Sequence, residues 1–70
     1  MIEFSLNGKE YIALCDLLKT IGFCENGGQA KAVIADSLVK VDGELELRKR
    51  CKIRVGQIAE YNNEKVKVIA

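Results

Sequence analysis

Seventy residues carrying eleven Lys and Arg against ten Asp and Glu, a formal net charge of +1, are too few for more than one domain and leave the chain near-neutral. The chain is 49% hydrophobic and 30% charged with no Pro, which fits a small globular protein without Pro/Ser-rich linker or low-complexity tract, and residues 1–70 are expected to form one domain. Thr20 to Cys24 is as long as any uncharged run, so no membrane span of about 20 residues is expected. The start MIEFSLNGKEY lacks the basic-then-apolar layout of a signal peptide, which makes the cytoplasm the expected location.

In chain order, FSLNGKEYI places Asn7-Gly8 between two short β-type runs, the pattern of a two-residue hairpin. That register pairs Leu6 with Lys9, Phe4 with Tyr11 and Ile2 with Ala13, and sets Ile2, Phe4, Leu6 and Tyr11 on one face, with Lys9 and Ile12 as exceptions. The period then changes. Leu14, Leu17, Leu18 and Ile21 form one helical stripe, and Gly22 follows as a C-terminal cap. A second helix is expected after Asn26, an N-cap residue with Gln29 three positions on. Ala30, Val33 and Ile34 face inward, with Leu38 just beyond, while Gln29, Lys31 and Asp36 lie outside. A short link makes the two helices a helical hairpin.

The remainder reads as β. Asp42-Gly43 marks a turn, but a two-residue register there sets Val41 beside Glu44 and Val39 beside Glu46. Sliding by one pairs Val41 with Leu45 and Val39 with Leu47, so a bulge, a longer loop or no regular hairpin is expected. The segment around Asn62-Asn63 pairs Ala59 with Val66 and Glu60 with Lys65. The predicted class is α+β: a two-helix hairpin packed on one side of a small antiparallel sheet of about four to five short strands.

LRKRCKIR, residues 47–54, holds five of the eleven cations, and no Asp or Glu occurs from 47 to 59. Read as a strand, it turns Cys51, Ile53 and Val55 toward the core and Arg48, Arg50, Lys52 and Arg54 outward. A row of like charges on one strand face is mildly destabilising, which a bound anion relieves; a solvated edge strand is the competing reading. Lys31 and Gln29 project from the start of the second helix, where unpaired N–H groups and the helix dipole favour phosphate. Lys19 and Lys40 are further cations that the fold can bring to the same face. The aromatics Phe4, Tyr11 and Tyr61 are expected in the core, so recognition by shape and backbone, rather than base-by-base stacking, is the expectation.

Cys15, Cys24 and Cys51 form no C-x-x-C pair and histidine is absent, so the cysteines are expected reduced and buried, with no metal site and no cofactor. Catalysis finds no His, no base beside Ser37 and no Cys–His pair, and the carboxylates Asp42, Glu44 and Glu46 gather at a turn where solvation is ordinary. No enzyme is expected.

The run YIALCDLLKTIGFCENGGQAKAVIADSLVKVDGELELRKR resembles the RNA-binding domain first defined in small-subunit ribosomal protein four, the S-four domain, whose core is the αL motif. The matching pattern is a leucine-rich helix ending at Gly22, the small polar turn Asn26-Gly27-Gly28, Ala30-Lys31 with Ile34, and Val39-Lys40-Val41-Asp42-Gly43. LCDLLK, GGQAK, VKVDGELE, RKRCKI and VGQ narrow the resemblance to small stand-alone bacterial members of the YbcJ type, over essentially the whole chain. The resemblance implies a non-enzymatic, ribosome-associated module for structured ribosomal or transfer RNA. Its basic surface would use Gln29, Lys31, Lys40, Arg48, Lys49 and Arg50, with Lys52 flanking. Many members carry Ser-Arg at the second helix start, where this chain has Asn26 and Gly27-Gly28, so weight shifts to Lys31 and the Arg48–Arg50 cluster. A monomer is expected, with ribosomal proteins as further partners. The alternative is a protein-interaction adaptor docking an acidic surface. A ubiquitin-like carrier ends in Gly-Gly, whereas this chain closes on VKVIA.

Overall fold

The computed structural model describes residues 1–70. The chain runs β1 (Ile2–Ser5), β2 (Ile12–Ala13), α1 (Leu14–Thr20), α2 (Gly27–Ala35), β3 (Val39–Val41), β4 (Glu44–Leu45), β5 (Lys52–Ile53), β6 (Ile58–Tyr61) and β7 (Glu64–Ile69). Five strands form one sheet in the order β1-β7-β6-β3-β4, and β2 and β5 form a separate two-stranded ladder. This is the expected α+β arrangement of a helical hairpin on a small sheet, with one refinement: β1 runs parallel to β7, so the larger sheet is mixed.

The helical hairpin forms because its stripes and its caps agree. Leu14, Leu17 and Leu18 of α1 and Ala30 and Ile34 of α2 are fully buried. Truncating one such leucine to Ala costs about 2–5 kcal/mol, a large share of the roughly 4–10 kcal/mol that a chain of this length holds. α1 stops where Gly22 enters the left-handed region at φ +84°, its N–H reaching the Lys19 carbonyl at 3.2 Å. Asn26 caps α2 as expected, its Oδ1 accepting the Gln29 N–H at 2.8 Å. Leu38 departs from expectation. Ser37 takes φ +65° to close α2, the Leu38 N–H turns back to the Val33 carbonyl at 3.1 Å, and the Leu38 side chain is 54% exposed.

Asn7-Gly8 does make a tight turn, with both residues at positive φ and the Lys9 N–H on the Leu6 carbonyl at 3.1 Å, but no hairpin follows. Leu6 is buried and gives its own N–H to the Ile69 carbonyl at 2.9 Å, which commits β1 to β7. Ile12, the apolar exception in the hairpin register, seats β2 opposite Ile53 of β5.

At Asp42-Gly43 the two-residue register is the one adopted, pairing Val41 with Glu44 and Lys40 with Leu45. Asp42 at φ +53° and Gly43 at φ +83° make the mirror-image turn whose twist suits a two-residue hairpin. β4 lies at the sheet edge, so Glu44 reaches solvent beside a buried Val41. The second hairpin, at Asn62-Asn63, pairs Ala59 with Val66 and Glu60 with Lys65 as expected.

Seventeen buried residues make one core between the helices and the inner sheet face, among them Val39, Val41, Ala59, Val66 and Val68. All three cysteines are free and buried, as read from the sequence. The other sheet face is open and bears opposite charges across neighbouring strands, Lys40–Glu60–Lys65 and Glu3–Lys67. No helix is long and apolar enough to cross a membrane.

Candidate nucleic-acid interface

The basic segment is not a continuous strand. Residues 48–51 form a turn closed by the Cys51 N–H on the Arg48 carbonyl at 3.2 Å, and only Lys52–Ile53 is β. Its backbone is anchored by a helix start. Ala13, the residue before α1, offers no side-chain cap; the N–H groups of Leu14 and Cys15 donate instead to the carbonyls of Cys51 and Lys49, at 2.9 and 3.0 Å. Two orphan donors of the helix are thereby satisfied, and the turn is held by its backbone with its cationic side chains left outside. Cys51 and Ile53 enter the core as expected.

Val55 does not; it is 56% exposed. A second turn, Arg54 to Gln57, puts Gly56 at φ +92° and the Gln57 N–H on the Arg54 carbonyl at 3.1 Å, so Val55 sits at a turn tip rather than in strand alternation.

Within the cluster, Arg48, Arg50 and Lys52 line one shallow concavity floored by Cys51. Lys49 and Arg50 occupy the two central positions of the turn, exposed. Arg48 differs from its neighbours. Glu46 holds it through Nε–Oε2 and Nη2–Oε1 contacts of 3.0 Å each and accepts its backbone N–H at 2.9 Å. The Arg48 hydrogen bonds hold the Glu46 carboxyl down at about 2. Burial, with the Glu46 carboxylate beside it, pushes the Cys51 thiol up, which leaves that cysteine a packing residue rather than a nucleophile. Arg48 forms the one salt bridge of the structure, so Lys49, Arg50, Lys52 and Arg54 stand without an ion-pair partner.

Of the remaining sequence-predicted residues, Gln29 is exposed at the start of α2, but its Oε1 accepts the Glu25 N–H and so helps cap the helix. Lys31 is exposed one turn into α2. Lys40 projects from the open face of the sheet, between the buried Val39 and Val41 and opposite Glu60, not from the helix-covered face. A Cβ at Gly28 would meet the Asn26 Oδ1 at 3.3 Å, whereas one at Gly27 would meet nothing, so only the second glycine is tied to the cap.

Among the aromatics, Tyr11 is the one that sequence reasoning misplaced. It is 41% exposed, with Lys52 Nζ 5.0 Å and Arg54 Cζ 5.6 Å from its ring centroid. The failed hairpin register was the source of the error: once β2 pairs with β5, Tyr11 lies just before the ladder, beside the basic strand. A Tyr neighbouring the residues that pair with a cationic strand is the signal that could have found it.

A model of the S4 domain family matches residues 4–69 of this chain. The chain is 50% identical, over its full length and that of its relative, to YbcJ of Escherichia coli (strain K12), a candidate RNA-binding protein by name. It is equally 50% identical, end to end, to the YbcJ protein of Shigella flexneri, whose name assigns it no function. The solution structure of E. coli YbcJ, described as revealing an αL motif involved in RNA binding, superposes with a TM-score of 0.78 and covers 100% of this chain and 89% of its own.

Proposed function

The chain belongs to the S4 domain family, and we propose that it is a non-enzymatic protein that binds folded RNA, ribosomal or transfer RNA, as a single unit over residues 1–70. The observation that carries this reading is the anchored turn: Lys49, Arg50 and Lys52 stand exposed with no carboxylate partner, on a backbone fixed by the start of α1. Uncompensated cations on a backbone that is already fixed spend no main-chain freedom when they meet phosphate, and guanidinium adds a bidentate fork. Lys31, Gln29 and Lys40 extend the contact if the RNA wraps around the helical hairpin and the sheet edge. Arg48 joins once RNA phosphate competes with Glu46. The candidate RNA-binding role of E. coli YbcJ supports the reading.

Filter binding of the purified protein to ribosomal RNA tests it. Four to five phosphate contacts give a slope of log K against log salt of about −3 to −4.5. Arg50→Ala weakens binding about 5- to 8-fold at 0.1 M salt, the share of one phosphate contact, and leaves the unfolding midpoint unchanged. Absence of binding at low salt rejects the proposal.

A second reading, a protein-interaction adaptor that docks an acidic partner surface and is ribosome-associated, is favoured by Leu38, Leu45 and Leu47, each more than half exposed, around the edge strand β4. Leu45 lies opposite Lys40, so this apolar strip carries a cation within it. Loss of ribosome co-sedimentation in Leu45→Ser, with binding to naked RNA intact, would select this reading.

A further inference from the structure

A groove of about 780 Å³ runs between the β1–β2 loop and the start of α1, lined by Tyr11, Phe4, Asn7, Glu10, Asp16 and Arg50. Its size falls in the range of small-molecule sites. Its charge is arranged unevenly. Arg50 belongs both to this groove and to the concavity that Arg48 and Lys52 line, so the groove opens onto the cationic turn. Glu10 and Asp16 also line it, and two carboxylates make it a poor place for phosphate.

Tyr11 gives the groove an aromatic surface, 41% exposed and approached by Lys52 and Arg54 at 5.0 and 5.6 Å. At an exposed site such cation–π contacts are weak, and long Lys and Arg side chains can leave the ring for a phosphate without backbone movement. Resting on the RNA-binding reading above, we propose that this groove takes one unpaired nucleobase of the bound RNA, stacked on Tyr11, while Arg50, Lys52 and Arg54 hold the phosphates on either side of it. A base has a π face for the ring and N–H groups that the Asp16 and Glu10 carboxylates can accept; a phosphate has neither. A fully paired helix cannot deliver a base to the groove, so the site discriminates loops and bulges from duplex.

The test compares an RNA hairpin with an unpaired loop and a duplex of equal length, bound by wild type, Tyr11→Leu and Tyr11→Phe. Stacking on one base corresponds to about a 5- to 150-fold loss when the ring is removed. Tyr11→Leu loses that factor on the looped RNA and nothing on the duplex, and Tyr11→Phe binds both as wild type does. The chain has two Tyr and no Trp, so in a Tyr61→Phe background the tyrosine emission reports Tyr11 alone; looped RNA quenches it and duplex does not. If wild type binds both RNAs and Tyr11→Leu matches it on each, or loses equally on each, the stacking site is overturned while the RNA-binding reading stands. If wild type binds neither RNA, the RNA-binding reading itself falls.

Discussion

Glu46 grips Arg48 two residues along the chain with both carboxylate oxygens, at 3.0 Å each. A segment that reads as uniformly cationic therefore contains one internally neutralised arginine. Glu46 also accepts the Arg48 backbone N–H and lies 3.5 Å from the Cys51 sulfur, so it shapes the start of the turn as well as balancing its charge. The pair is a built-in competitor: any phosphate that takes Arg48 must displace a carboxylate already in bidentate contact.

Removing that competitor should strengthen RNA binding. In Glu46→Gln the Arg48 guanidinium is free to engage phosphate, and the slope of log K against log salt steepens by about 0.7 to 0.9, one additional contact. Filter binding across a salt series measures it. An unchanged slope together with an unchanged affinity would mean that Arg48 does not touch the RNA.

The same carboxylate sets an acid limit. Glu46 titrates at about 2 in the fold against an ordinary 4.5, because the charged form is held by Arg48. A depressed carboxyl stabilises the fold fully above its unfolded value, and that contribution is lost as pH falls from about 4.5 to about 2. Urea midpoints of wild type and Glu46→Gln should therefore differ at pH 6 and converge near pH 2, with a gap that narrows in high salt because the Arg48 side chain is 77% exposed. A constant gap across that window would remove Glu46 as the group responsible.

Asp42 belongs to the VKVDG signature but does structural work. Its Oδ1 accepts the Ile58 N–H at 2.9 Å, its Oδ2 accepts Gln57 Nε2 at 3.3 Å, and its own N–H donates to the Ile58 carbonyl at 2.8 Å, all from a positive φ. Asp42→Ala should cost about 2–4 kcal/mol, combining the lost charged acceptor with the left-handed backbone penalty. Asp42→Asn keeps an acceptor and tolerates the backbone, so its loss should be clearly smaller. Urea unfolding of both variants checks the order; equal losses would reject it.

What could be read from the sequence was local and redundant. The leucine stripe of α1 ended at a glycine, the second helix began at an Asn with a matching Gln, and the Asn62-Asn63 turn agreed with its flanking pattern. Errors arose where two local signals conflicted. At Asp42-Gly43 the hydrophobic pattern argued for a shifted register, yet turn chemistry decided, because an edge strand as short as β4 has little burial to lose. At Asn7-Gly8 the turn formed but the strands were claimed elsewhere, Leu6 by Ile69 and Ile12 by Ile53, contacts between residues far apart in sequence. The cationic residues were legible as composition. Their placement on a turn pinned to the start of α1 was not, since it depends on α1 holding the carbonyls of Lys49 and Cys51.

The start of α2 offers a gain-of-function test. Gly27 follows the capping Asn26 as the first residue of α2. A Cβ at Gly27 meets no atom within 4 Å and needs no positive φ, whereas one at Gly28 is crowded by the Asn26 cap. Gly27→Arg should therefore fold with the cap intact, and replacing a helical glycine by a good helix former should not destabilise. If the helix start faces the RNA, the added guanidinium contributes one phosphate contact, about 5- to 8-fold tighter binding at 0.1 M salt. Gly28→Arg serves as the contrast, since its Cβ falls 3.3 Å from the Asn26 Oδ1 and strains the cap. Filter binding and urea unfolding of both variants decide the matter: tighter binding by Gly27→Arg alone places the helix start on the RNA, and no change in its affinity leaves the contact to the Arg48–Lys52 turn.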